Sequence, residues 1–237
     1  MPAAIDVAGR ILPLVAERRS SARGIRLRAD SVQGAVRISL PARGGVTEAL
    51  ALLASHRDWL AAQVAGWPSP RPFAPGATIP FDGGDLLIDW AATHPRQPLR
   101  VGDALRLGGP LESVSARTLR WLRAEALADM AAGTQRLAAA VDRPVTQVRV
   151  CDPRARWGSC ATGQGAGGRI AYSWRLILAP AFVRGNVVAH EVAHLVHANH
   201  GPDFHALLRS LDPHGAASRH WLKGHGASLH WVGRADL

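Results

Sequence analysis

Two histidines four residues apart, with a glutamate directly after the first, stand in the run Val187-Val188-Ala189-His190-Glu191-Val192-Ala193-His194-Leu195-Val196. On an α-helix, positions i and i+4 project from one face about a turn apart, so two imidazoles there can share one metal ion. Glu191 points about 100° further round the helix axis, beside the ion rather than on it. A carboxylate so placed can take a proton from water at the metal. Lewis acid, water and base are the parts of metal-assisted hydrolysis, and the donor set suits zinc.

A catalytic zinc needs a third protein ligand, and His197, His200 and His205 compete for the position. His197 lies seven residues after His190, so a continuous helix separates them by about 10 Å of rise. Bonds of about 2.0–2.1 Å cannot gather three such rings from a straight helix. His200 follows a turn signal, where the chain can fold back toward the metal. It is the favoured ligand, with His205 the alternative. Its ten-residue spacing from His190 matches the metzincin pattern. However, His197 stands where that pattern has Gly, and no Met follows the motif.

These residues need a rigid frame. The run is apolar between its polar positions, as in a half-buried helix. Pro180 suits a first helical turn, and Asn199-His200-Gly201-Pro202 reads as a stop, which predicts a helix over about 180–198. Upstream, 147–151 and 168–178 read as strands, the second with Ile170, Tyr172, Trp174 and Leu176 on one face. Gly163 to Gly168 form a flexible connection between them, without the Lys-Ser/Thr ending of a phosphate loop. A long amphipathic helix is expected over about 111–141, marked by Leu119, Leu122, Ala126, Leu127, Met130 and Leu137. The first half is β-rich: a hairpin within 20–42, one helix from Thr47 to about Val64 with Trp59 on its apolar face, a Pro-rich stretch at 66–76, then short strands near 86–90 and 99–107. The expected division is 1–110, a small β-rich region with one helix, and 111–237, an α+β catalytic domain whose sheet packs on the metal helix.

With 47% hydrophobic residues the chain can bury a core, and no run has the length of a membrane span. The apolar N-terminus is broken by Asp6 and Arg10 and does not resemble a signal peptide. Cys151 and Cys160 fit neither a disulfide framework nor a close metal pair, so a reducing cytoplasm is expected. The formal charge of +10 rests almost entirely on arginine. The densest stretch, from Arg10 to Arg43, is read as a solvated face, with an acidic partner such as nucleic acid as the competing reading.

Arg156-Trp157-Gly158-Ser159-Cys160, the segment Tyr172-Ser173-Trp174-Arg175-Leu176-Ile177-Leu178-Ala179-Pro180, and the motif helix with Asn199-His200-Gly201-Pro202-Asp203-Phe204 together resemble the YgjP-like metallopeptidase family. Arg57-Asp58-Trp59-Leu60 is similar to the N-terminal region of that family. The His-Gly-Pro-Asp-Phe stretch also resembles the zinc-ligand return of SprT-like proteases, which act on proteins crosslinked to DNA. The resemblance implies a zincin-like fold and zinc bound by His190, His194 and His200, with Glu191 as base. It implies a peptide or protein substrate. Two other readings compete: a DNA-associated protease of the SprT-like kind, and a non-enzymatic protein with a closed zinc site. Within the motif, Arg156 is expected to bond backbone carbonyls near the metal helix, Trp157 to lie in the core, Gly158 to permit a tight turn and Cys160 to be a buried thiol. An edge strand within 168–178 is the expected rail for substrate backbone. Tyr172 is expected in the core, and His220, His225 and His230 are candidates for stabilising an oxyanion.

Overall fold

The computed structural model describes residues 2–43, 45–162 and 167–234. The chain forms two compact units, Met1–Pro70 and Arg71–Arg234. The change between them falls in the Pro-rich stretch rather than at 110/111, so the strands over 78–107 belong with the metal-helix half of the chain.

In the first unit, β1 (Ala4–Val7) and β2 (Arg10–Arg19) form a hairpin turned by Ala8 and Gly9, both at positive φ. Two positive-φ residues match the twist of the flanking strands, and Asp6 accepts the Gly9 N–H at 2.9 Å. The expected second hairpin is β3 (Arg26–Asp30) against β4 (Ala35–Pro41), and the sheet order is β1-β2-β4-β3, with β2 and β4 parallel. The helix expected from Thr47 is two, α1 (Val46–Ser55) and α2 (Arg57–Ala65), broken at His56. The break rotates Trp59 outward, while Leu53, Leu60 and Val64 are buried.

The second unit opens with a sheet of order β5-β6-β8-β7, made from β5 (Thr78–Phe81), β6 (Gly84–Trp90), β7 (Leu99–Val101) and β8 (Ala104–Leu107). Ile79, Leu86, Ile88 and Leu105 from it enter the same core as Leu122 and Met130. Those two lie on α3 (Val114–Ala140), where Leu122, Ala126, Met130, Thr134 and Ala138 make a buried i, i+4 ladder and Leu127 faces outward. A second sheet, β10-β11-β9, pairs β9 (Val145–Cys151) parallel and β10 (Gly158–Thr162) antiparallel to β11 (Gly168–Ser173). The expected long strand over 168–178 stops at Ser173. There the Ser173 hydroxyl accepts the Arg175 N–H and the chain winds into a 3-10 turn over Trp174–Leu178. That turn, and not strand alternation, buries Trp174, Leu176, Ile177 and Leu178 together. β11 is therefore the central strand of its sheet, not an edge. Of the connection at 163–168, residues 163–166 lie outside the described residues.

The metal helix is α4 (Ala181–Ala193), followed by α5 (Pro202–Leu211) and α6 (Gly215–Leu229). Buried Arg184 locks α4 in place. It donates to Asp82 at 2.8 Å, to Asp129 at 3.0 Å and to the Ala179 carbonyl at 2.6 Å, joining the β5–β6 turn and α3 to the helix. At the ends of the unit, Arg71 N–H donates to the Trp231 carbonyl at 3.0 Å and Gly233 N–H to the Arg71 carbonyl at 2.7 Å. Among the described residues, no helix is long and apolar enough to cross a membrane.

Candidate metal centre

α4 is shorter than the spacing predicts. After Ala193 the backbone changes to tighter bonds, Leu195 N–H to Val192 and Val196 N–H to Ala193, and the chain turns back. This early turn carries His200 to the helix face that presents His190 and His194. One potential ligand nitrogen from each ring lies within 4.8 Å of the others, and the Nε2 atoms of His190 and His200 stand 3.2 Å apart. Three donors at about 2.0–2.1 Å from one tetrahedral ion would be separated by about 3.3 Å, so the ring placement fits a single ion. His205 is exposed, its ring centroid 6.4 Å from that of His200, and it does not join the cluster. His197 contributes its backbone: its carbonyl lies 3.1 Å from His194 Nδ1. A proton held at Nδ1 leaves Nε2 of His194 bare to meet a metal.

Phe204, fully buried on α5, packs against all three rings, with centroids 5.1, 4.6 and 4.7 Å from His190, His194 and His200. Burial, reinforced by the neighbouring histidines, pushes the His190 pKa down to about 4. His194 is lowered by burial too. Neutral imidazoles are the form that binds metal.

Glu191 is 5% exposed. Burial raises its pKa to about 7, against a lowering pull from Arg156. A carboxyl with this value can both accept and return a proton near neutrality. Its neighbour across the site is Gly158, the first residue of β10. A Cβ built there would lie 2.7 Å from Glu191 Cγ and 2.8 Å from Cδ. Gly158 thus serves close approach to the carboxylate, in place of the expected tight turn. The segment that delivers it is fixed from behind. Arg175 pairs with Asp152 through Nε at 2.7 Å and Nη2 at 3.1 Å, and Ser173 N–H donates to the Trp157 carbonyl at 2.8 Å.

The remaining motif residues divide. Arg156 is exposed on the wall of the cavity beside Glu191 and makes no hydrogen bond or ion pair with a described residue, contrary to a carbonyl-bonding role. Trp157 is half-buried, lines the same cavity and packs against His230, the ring centroids 5.3 Å apart and the planes tilted by 37°. Cys160 is half-buried, and burial followed by the Glu191 charge pushes its thiol up to about 11. Tyr172 is in the core as expected, its hydroxyl 2.9 Å from that of Thr134. Of the oxyanion candidates, His220 and His225 are exposed and His230 is buried under Trp157, and none of the three lines the cavity. The polar cavity residues that sequence reasoning missed are Asn186, Ser218 and Arg219. Asn186 could have been found, since it lies one turn before His190 on the same helix face. Ser218 and Arg219 come from α6 and carry no local signal.

A helix end whose two histidines are joined by a third from the returning chain, packed on a small mixed sheet in an α+β unit, is the arrangement of a zincin-like metallopeptidase domain. The family model described as YgjP-like, metallopeptidase domain matches residues 23–225, and the chain belongs to that family. No curated protein and no solved structure matches it significantly.

Proposed function

We propose that the chain is a zinc-dependent metallopeptidase, with zinc held by His190, His194 and His200 and Glu191 acting as general base. The convergence of the three rings with one buried carboxylate on the next helical position carries this reading. Zinc bound there supplies Lewis acidity toward a peptide carbonyl and makes water at the site more acidic. Glu191 takes the proton of the attacking water and returns it to the leaving amine. Gly158 holds the Glu191 side chain against the β10 backbone, so the base stays oriented. Arg156 supplies positive charge on the Glu191 side of the cavity, a charge able to stabilise a developing oxyanion. β10 is an edge strand that starts at the site, and it is the strand able to take substrate backbone by β-addition, in place of β11.

A closed structural zinc site would need a fourth protein ligand, and among the described residues the cluster contains three candidates. The defining experiment pairs Glu191→Gln with His194→Ala. The glutamine variant retains zinc by elemental analysis and loses hydrolysis of an unfolded protein, while the alanine variant loses the metal. A glutamine variant that cleaves at the wild-type rate would end this mechanism.

The nucleic-acid reading has one observation in its favour. In the first unit Arg19, Arg23, Arg26, Arg28 and Arg37 line a single concavity, although Glu17 pairs with Arg19 and Arg37. Salt-sensitive DNA binding with stimulated proteolysis would support a DNA-associated protease. Absence of binding at low salt would remove that reading.

A further inference from the structure

The cavity beside the histidine cluster holds polar groups that the hydrolytic chemistry leaves unused. It measures about 530 Å³ and lies between α4, α5, α6 and the 156–158 segment, with Val187, Leu208 and Leu222 as apolar walls. At one end stand Asn186 of α4 with Ser218 and Arg219 of α6. Ser218 is 1% exposed, and its hydroxyl has no hydrogen-bond partner. A buried hydroxyl without a partner is a cost that a bound ligand can remove. Arg219 is exposed on the cavity wall and makes no hydrogen bond or ion pair with a described residue. Its guanidinium and the Asn186 amide converge: a Cβ built on Gly215 would lie 3.4 Å from Arg219 Nη1 and 3.5 Å from Asn186 Nδ2. Asp212 is the acidic group at this end, and its Oδ1 already accepts from Asn186 Nδ2 at 3.3 Å and from the His214 N–H at 2.6 Å.

Guanidinium, amide and hydroxyl all donate, and the guanidinium adds positive charge. Their complement is a planar anion with several acceptor lone pairs, which on a peptide is a carboxylate. Position selects which one. Asn186 precedes His190 by four helical residues, about 6 Å along the axis. Extended peptide advances about 3.3–3.6 Å per residue, so a group bound at this end lies one or two residues beyond the bond being cut at the histidine cluster.

We propose that Arg219, Ser218 and Asn186 bind the C-terminal carboxylate of the substrate, making the enzyme a peptidase that releases one or two residues from a free C-terminus. The apolar walls take a hydrophobic side chain of the departing residue. The reaction consumes one peptide bond and one water. The water oxygen joins the new carboxylate of the shortened chain, and the departing amino acid or dipeptide gains the proton on its amine. The inference rests on the metallopeptidase reading. Arg219, Ser218 and Asn186 are specificity residues and do not touch the reacting atoms.

The test uses the zinc-loaded full chain and peptides of one sequence with three endings: a free acid, an amide, and an amide with Asp or Glu as the last residue. Products are identified by mass, and kcat and KM are measured separately. A non-cleaving reference comes from Glu191→Gln, on which binding of the acid and amide peptides is measured by calorimetry. The free acid should exceed the amide by about tenfold to a hundredfold in kcat/KM, carried by KM, and should bind the glutamine variant tighter by a similar factor. Arg219→Gln should abolish that difference in both assays while retaining zinc and its melting temperature, and Ser218→Ala should narrow it. Equal cleavage and binding of acid and amide overturns the proposal, as does an acid preference that survives in Arg219→Gln. Amides ending in Asp or Glu that match the free acid assign the pocket to an acidic side chain and overturn the C-terminal form. If no peptide is cut, the metallopeptidase reading fails, and the binding comparison on the glutamine variant still decides the carboxylate site.

Discussion

Gly158→Ala separates orientation of the base from stability of the fold. The added methyl carbon would lie 2.7 Å from Glu191 Cγ and 2.8 Å from Cδ, where ordinary contact begins near 3.4 Å. Something must therefore move by at least about 0.7 Å. β10 is held along its length by antiparallel pairing with β11, and the segment before it by the Arg175–Asp152 pair. The Glu191 side chain, with three rotatable bonds, is the softer element and turns aside. Overpacking relieved by a side-chain rotation falls at the lower end of the usual range, about 1 kcal/mol. Misplacing a catalytic group by about 1 Å costs on the order of a hundredfold in rate. The variant should thus keep its zinc, because the atoms nearest the new methyl all belong to Glu191 and not to a histidine. It should melt within a few degrees of wild type and lose about two orders of magnitude in kcat, with little change in KM. Elemental analysis, thermal denaturation and steady-state kinetics on one preparation suffice. Undiminished kcat would show that Gly158 does not position Glu191. Loss of fold along with activity would show that the strand, not the side chain, yields.

Phe204→Ala removes the ring against which all three histidines pack, and should cost about 3–5 kcal/mol of stability and weaken zinc binding measurably in a chelator competition. Unaltered metal affinity would show that the rings orient themselves without it. Arg184→Leu breaks a buried cation away from Asp82, Asp129 and the Ala179 carbonyl, and should destabilise the chain by about 3 kcal/mol in denaturant titration. A loss below about 1 kcal/mol would mean that the partly exposed aspartates contribute little. His230 is held well below its ordinary value, at about 4, chiefly by burial, with Arg175 adding to the effect. Between pH 6.5 and about 4 the unfolded chain binds a proton there that the native chain does not. Stability from this residue is therefore complete above about pH 6.5 and falls as the solution is acidified, by no more than about 3 kcal/mol. His230→Phe should flatten that part of the stability profile, and an unchanged slope would assign it to other groups.

The histidine pair and Glu191 were legible because their relation is local. Helical periodicity fixes which residues share a face whatever the surroundings. The family resemblance was legible for the same reason, as short ordered motifs. The end of α4 was less so: the stop signal at Asn199–Pro202 is genuine, yet the helix had already ended at Ala193 through tighter turns. Those turns are what bring His200 back. The long strand at 168–178 failed because alternation of apolar residues cannot distinguish a strand from a short strand followed by a fully buried 3-10 turn. Its standing as a central strand depends on which neighbours pair with it, and that is a property of the whole sheet. Gly158 and Arg156 lay in a motif whose importance was visible while their roles were not. One role rests on a contact with Glu191, 33 positions away, and the other on facing a cavity that exists only in the fold. Arg184 gave no local cue at all, since its three partners come from three other elements.

Backbone bonds from the Arg71 N–H to the Trp231 carbonyl and from the Gly233 N–H to the Arg71 carbonyl give the second unit a seam where its beginning and end are stitched together. Fraying usually starts at loose chain ends, and here neither end can peel away without releasing the other. Gly233 reinforces the stitch: its φ of +82° and the Phe73 ring carbons at 2.8 and 3.2 Å from a would-be Cβ leave no room for a side chain there. Joining 71 to 234 through a short designed linker, and opening the ring at a surface loop, should leave a circularly permuted enzyme with its metal site undisturbed.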